Sequence, residues 1–194
     1  MVAGRAIAGV GFVAILGLLF LASKASAASK TPELTDMPLP SQRLPNDGPL
    51  YPGSYFTGYE VRRSQKAAEL GDPNIPDSGA MALAVRLARE IGDPFRRYLG
   101  KPVIITSWFR NENVNREVGG VSNSKHMTGA AFDIKVQGMT STQIARALLD
   151  SGIEYGQIIG YAYKGHLHVS LPGYGTHGVL WSPRKNVYDP WNPR

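Results

Sequence analysis

Cysteine is absent from the 194 residues. Its absence excludes disulfides and thiolate metal sites, so any metal must be held by histidine, aspartate or glutamate. Histidine itself is scarce, with four in the whole chain. Also missing is any block of lysine and arginine, or a basic helix with interleaved aromatics. The formal net charge is +6, but the cations are dispersed, and nucleic acid is not an expected partner. A generally basic surface favours anionic surroundings such as acidic lipid or an anionic cell wall. No internal repeat is apparent. The length suits one domain with appendages, large enough to bury a core without staples.

One long apolar run is present, from Ala6 to Ala22 between Arg5 and Lys24. Its length is at the low edge for a spanning helix and slightly long for a signal-peptide core. Ala25-Ser26-Ala27 fits a small-x-small cleavage pattern, with a cut before Ala28. Residues 1–28 therefore read as an apolar helix, either a signal peptide or a membrane anchor. Both place the rest of the chain outside the cytoplasm, secreted or anchored. Residues 29–58 hold prolines at 32, 38, 40, 45, 49 and 52. No helical or strand period survives that density, and the stretch reads as a semi-stiff linker.

The folded part is expected over residues 59–182, with 183–194 an irregular tail. "SGAMALAVRLAREIGDPFRRYLG" predicts a helix capped by Asp77 or Ser78, with Ala82, Val85, Leu87, Ala88 and Ile91 as its apolar stripe. "KPVIITSWF" predicts a strand, and "NENVNREVGG" a short helix capped by Asn111 and closed by Gly119. "GAAFDIKV" predicts another strand. Thr140 with Gln143 three residues on is a capping-box signature for the next helix. "YGQIIGY" and "GHLHVSL" predict two strands joined as a hairpin through "AYKG". From about Pro172 onward, glycine, proline and aromatics predict irregular chain. The mixture lacks strict β-α alternation. It indicates an α+β fold, with an antiparallel sheet and helices packed on one face.

Three of the four histidines fall in "SKHMTGAAFDI" and "GHLHVSL". Side chains alternate faces along a strand. Phe132, Ile134 and Val136 then point one way and Asp133 the other. Leu167, Val169 and Leu171 share one face, with His166, His168 and Ser170 opposite. If the apolar sets face the helices, Asp133 and His168 project together from the open face. A loop containing Gly129 can fold His126 back over them. Two imidazoles and a carboxylate suit zinc, with a fourth position left to water. Such an ion makes hydroxide available near neutral pH and polarises a carbonyl.

These two segments together resemble the zinc D,D-peptidases of the M15 type, bacterial D-Ala-D-Ala carboxypeptidases and dipeptidases and phage endolysins. The zinc-binding N-terminal domain of hedgehog proteins shares that fold and a similar His-x-His strand. The resemblance covers about residues 100–172. It implies zinc ligands at His126, Asp133 and His168. Upstream, "TSWFRNENVNREVGGVSNSKH" is similar to the family's segment leading to the first ligand. Arg110 there corresponds to an arginine used near substrate, and Ser124 to a serine lining the cleft. A guanidinium suits a substrate carboxylate or a polarised peptide carbonyl.

One departure matters. Many relatives carry an Asp or Glu three residues before the last histidine ligand, to move protons; here Gly165 occupies that place. Ala162 and Tyr161, further back, offer no carboxylate either. His166 is the nearest replacement, on the same face as His168 and with an imidazole pKa suited to proton shuttling. Glu154 would reach the site only through an inward loop. His177 is expected on the surface, and Tyr161 and Tyr163 in packing. The expected function is a zinc-dependent peptidase acting on peptidoglycan stem peptides at D-amino-acid amides. The membrane is a second expected partner, through residues 1–28. The rival expectation is a zinc-containing wall-binding or structural module without catalysis. Either role is compatible with a phage entry or lysis component carried on a virion.

Overall fold

The computed structural model describes residues 47–161, 163–184 and 187–193. The apolar segment expected as a helix near the N-terminus lies outside these residues. So does most of the proline-rich stretch. Its last part belongs to the folded body: Phe56 is fully buried in the core, and the buried Asp47 carboxylate accepts two hydrogen bonds from Arg62, at 2.7 and 2.6 Å.

Helices lead. They are α1 (Gly58–Arg62), α2 (Gln65–Leu70) and α3 (Ser78–Leu87); a π-turn, Ala88–Gly92, then runs into α4 (Asp93–Leu99). Pro94 at the start of α4 has no N–H to give to the preceding turn. Asp77 caps α3, its side chain accepting from the Ala80 N–H. The buried stripe is Ala80, Ala84, Leu87, Ala88 and Ile91. Ala82, expected inside, is exposed and Val85 half-buried. The stripe follows the four-then-three spacing from Ala80, which brings Ala84 inward in place of Ala82.

The sheet follows, with short helices between its strands. β1 is Val103–Ser107, α5 Glu112–Glu117, and a 3-10 turn covers Lys125–Thr128. Then come β2 (Ala131–Val136), α6 (Ser141–Asp150), β3 (Gln157–Tyr161), β4 (His166–Ser170), β5 (Gly178–Ser182) and β6 (Asp189–Pro190). Asn111 caps α5 through the Val114 N–H, and Thr140 with Gln143 forms the capping box of α6. The strand order is β1-β2-β4-β3-β5-β6.

The fold is α+β, as expected, but the sheet is mixed. β5 runs parallel to β3, pairing Gln157 with Gly178 through Tyr161 with Ser182. The remaining neighbours pair antiparallel. The chain after Pro172 is thus not wholly irregular: it returns to add two strands beyond β3. Gly160 leaves room for this return, since a Cβ there would stand 2.6 Å from Trp191 and 2.8 Å from Trp181. Those indoles pack at 4.9 Å.

One core joins the layers. Phe132, Ile134, Leu167, Val169 and Ile158 from the sheet meet Ala84, Leu87, Phe95, Ile144 and Leu148 from the helices. The opposite side-chain set of β2 and β4 includes Asp133, His166 and His168. At the edge of the core Trp108 stands edge-on to Phe132 and Phe56, at 5.2 and 5.8 Å, and its indole N–H donates to the Gly129 carbonyl. Gly129 adopts φ +75°, and a Cβ there would lie 2.2 Å from the Ala80 carbonyl oxygen. Gly129→Ala is therefore expected to cost at least about 1–3 kcal/mol from backbone conformation alone. The clash adds to it, and the turn carrying His126 shifts. Urea unfolding measures this; a midpoint equal to that of the parent chain contradicts it.

Candidate metal centre

Three elements converge on the open face of the sheet. β2 and β4 pair so that Asp133 stands directly opposite His168. The 3-10 turn just before β2 brings in His126, closed by Gly129 in the left-handed conformation. His126 Nε2 lies 3.2 Å from Asp133 Oδ1 and 3.1 Å from His168 Nδ1, and His168 Nδ1 lies 2.9 Å from Asp133 Oδ1. All three residues are buried.

These spacings fit a single ion. Two ligands about 2 Å from a tetrahedral metal stand about 3.3 Å apart. The His126 tautomer also fits. Its Nδ1–H donates to the Trp108 carbonyl at 2.7 Å, leaving the Nε2 lone pair for a metal. That backbone partner has no signature in the sequence; only the fold puts a carbonyl there.

Arg110 braces the carboxylate. Its Nη2 donates to Asp133 Oδ2 at 2.9 Å and its Nε to Ser107 Oγ at 2.9 Å. Its own backbone N–H donates to the His126 carbonyl. Arg110 therefore holds the metal-binding residues and lines the cleft together with Ser124. Ser107, not singled out in the sequence, is what orients the guanidinium.

His166 sits beside this triangle. Its Nε2 is 3.6 Å from Asp133 Oδ2, too long for a hydrogen bond. The atom is buried without a protein partner. Across the hairpin His166 pairs with Tyr161. Burial raises the Tyr161 hydroxyl's pKa, and the nearby Asp133 charge adds to it, so this tyrosine stays protonated and cannot serve as a base.

The cleft over the site encloses about 720 Å³. Among the described residues two carboxylates line it, Asp133 and Glu69, against Lys66, Arg110, Lys125 and Lys164. Glu69 is exposed and paired with Lys66. Glu154 is exposed and outside the cleft lining. His177 is exposed and stacks on Tyr155 at 5.2 Å.

Residues 54–170 match the family described as Peptidase M15. The chain belongs to the M15 peptidase family. The matched span contains His126, Asp133, His166 and His168 as well as Arg110 and Ser124. A zinc D-Ala-D-Ala carboxypeptidase of Streptomyces albus G is 35% identical over 85 residues, 42% of this chain and 31% of that protein. This M15 chain thus aligns with less than a third of that relative's length.

Without metal, the site stores a pH dependence. Burial, with the Arg110 charge, pushes His126 down to about 4 against the pull of Asp133. Burial also pushes His166 down to about 4, with Asp133 opposing and Lys164 reinforcing. An unfolded chain protonates both near pH 6.5, so between about 6.5 and 4 it binds more protons than the folded chain. Stability of the metal-free chain is expected to fall as pH drops through that window. The slope reaches at most about 1.4 kcal/mol per pH unit for each histidine. Urea midpoints between pH 7 and 4.5 measure this, and a flat profile contradicts it.

Proposed function

We propose that this chain is a zinc-dependent peptidase that hydrolyses D-amino-acid-containing amides in peptidoglycan stem peptides. The observation that carries the reading is the buried His126–Asp133–His168 triangle with the unpartnered Nε2 of His166 beside it. His126, Asp133 and His168 would hold the metal. Zinc, when bound, supplies Lewis acidity, acidifying a water and polarising the scissile carbonyl. His166 takes the proton of the attacking water and passes it to the leaving amine. Arg110 has five N–H donors, two of them committed to Asp133 and Ser107; the others face substrate carboxylate or carbonyl oxygen. Ser124 contributes a hydroxyl to the cleft.

The excess of cations around the cleft suits a peptide that carries carboxylates. The name of the Streptomyces relative supports both zinc and the D-Ala-D-Ala bond class. The apolar N-terminal run and the proline-rich stretch support an extracytoplasmic location, secreted or held at a membrane.

A second reading is a zinc-binding wall module without turnover. It is favoured by one observation, the absence of a carboxylate other than Asp133 and exposed Glu69 from the described cleft lining. The deciding experiment uses the full chain, with zinc measured per chain and a panel of stem peptides. Peptides ending in D-alanine are expected to be cut and their L-alanine isomers not. A chelator is expected to stop turnover and lower the Tm. One bound zinc per chain with no cleavage anywhere in the panel supports the second reading.

A further inference from the structure

His166 Nε2 makes no hydrogen bond within the protein, yet catalysis asks for a fixed imidazole. The Asp133 carboxylate 3.6 Å away attracts that nitrogen without bonding it, so ring packing has a share in setting the imidazole's orientation. The neighbour that supplies it is Tyr161, directly across the β3–β4 pair. Paired residues of an antiparallel ladder share a sheet face. The two ring centroids stand 5.1 Å apart at 64°, an edge contact. An imidazole rotated away from this contact would take Nε2 away from Asp133 and the metal-binding triangle.

Tyr161 is itself held from three sides. Tyr163 meets it edge-on at 5.9 Å, and the Lys164 ammonium stands 5.4 Å from its ring centroid. Tyr188 stands beside its hydroxyl. Tyr188 adjoins β6, beyond the 54–170 span that carries the family match. The C-terminal strands thus reach back to the wall of the cleft, which Tyr188 also lines.

We propose that Tyr161 is a positioning residue for His166, its ring fixing the imidazole with Nε2 toward the metal centre, and that Tyr188 from the C-terminal segment holds Tyr161 in place. This rests on the role given to His166 above, so the test includes a measurement that needs no turnover. The chain has four histidines, few enough for imidazole resonances of the labelled, zinc-loaded full chain to be assigned by single substitutions. In Tyr161→Ala the His166 resonance is expected to shift or broaden while those of His126 and His168 hold. On stem peptides kcat is expected to fall on the order of 10-fold to 100-fold. KM should stay within about twofold and zinc content should be unchanged. Tyr161→Phe, which keeps the ring, is expected to restore both the resonance and most of kcat. Tyr188→Ala is expected to move the same resonance by less, and carries the test if Tyr161→Ala does not fold.

An unmoved His166 resonance in the folded variant overturns the proposal. So does a Phe variant as impaired as Ala, which would make the hydroxyl a participant. Raised KM at constant kcat also overturns it, since the ring would then be touching substrate. Movement of the resonance in a chain that cleaves no peptide leaves the positioning role standing and removes the peptidase reading instead.

Discussion

Alanine at His126 is expected to remove zinc from the chain and to reduce stem-peptide cleavage to background. Asp133→Ala should do the same and, in addition, destabilise the fold. The two differ because of Arg110. His126→Ala deletes one ligand but leaves the Arg110–Asp133 pair, with side chains 13% and 5% exposed. Asp133→Ala deletes a ligand and strands the guanidinium in a largely buried place. Removing one partner of a buried pair costs about 3–5 kcal/mol. Zinc content by mass spectrometry and urea unfolding of the metal-free variants separate the effects. Retained cleavage in either variant would sink the assignment of the centre. Equal stability of the two metal-free variants would show that Asp133 serves Arg110 less than the 2.9 Å contact suggests.

His166→Ala is expected to keep its zinc and lose about 10²–10⁴-fold in kcat, the usual contribution of a general acid–base. The position is two residues from a ligand on β4, but its Nε2 lies 3.6 Å from the carboxylate oxygen that Arg110 holds. No other group in the described cleft lining combines burial with a titratable lone pair outside the ligand set. Asp133 is braced, Glu69 is exposed and paired, and Tyr161 stays protonated. The metal-free pKa of His166 near 4 comes chiefly from burial. A neutral imidazole is therefore the form present at pH 7, the form needed to accept a proton. Single-turnover rates with zinc quantified in the same sample make the measurement. If kcat is unchanged, the proton passes elsewhere and the role given to His166 is wrong.

Two corners of the metal triangle, Asp133 and His168, were legible in the sequence because strand alternation is local; His126, on a turn, came from the resemblance. Once "AFDIKV" and "HLHVS" are strands with their apolar residues inward, Asp133 and His168 must share the outer face. The helix caps at Asp77, Asn111 and Thr140 were legible for the same reason: a cap depends on residues within one turn. The helical stripe was less so. Ala82 and Ala84 are chemically alike, and only packing beneath α3 chose between them.

The closing strands were hidden. "GVLWS" begins with glycine in a region dense in turn residues, and its pairing partner, β3, lies about twenty residues back. Parallel pairing at that distance leaves no turn signature in the sequence. It exists because Gly160 and the two indoles allow the chain to lie there. The part played by Arg110 was half legible. Its presence near the site followed from resemblance, but its grip on Asp133 did not. An arginine at the end of a strand has many reachable partners, and only the positions of Ser107 and Asp133 select among them.

Sequence alone determined which kinds of atom could bind a metal here, because a chain without cysteine has only imidazoles and carboxylates to offer, and the strand period put Asp133 and His168 on one face. Tertiary structure alone decided how those atoms are held: the Trp108 carbonyl that sets the His126 tautomer, the Arg110 brace, and the tyrosines beside His166. Each of these depends on contacts between segments distant along the chain, and such contacts form only when the core has fixed where the segments lie.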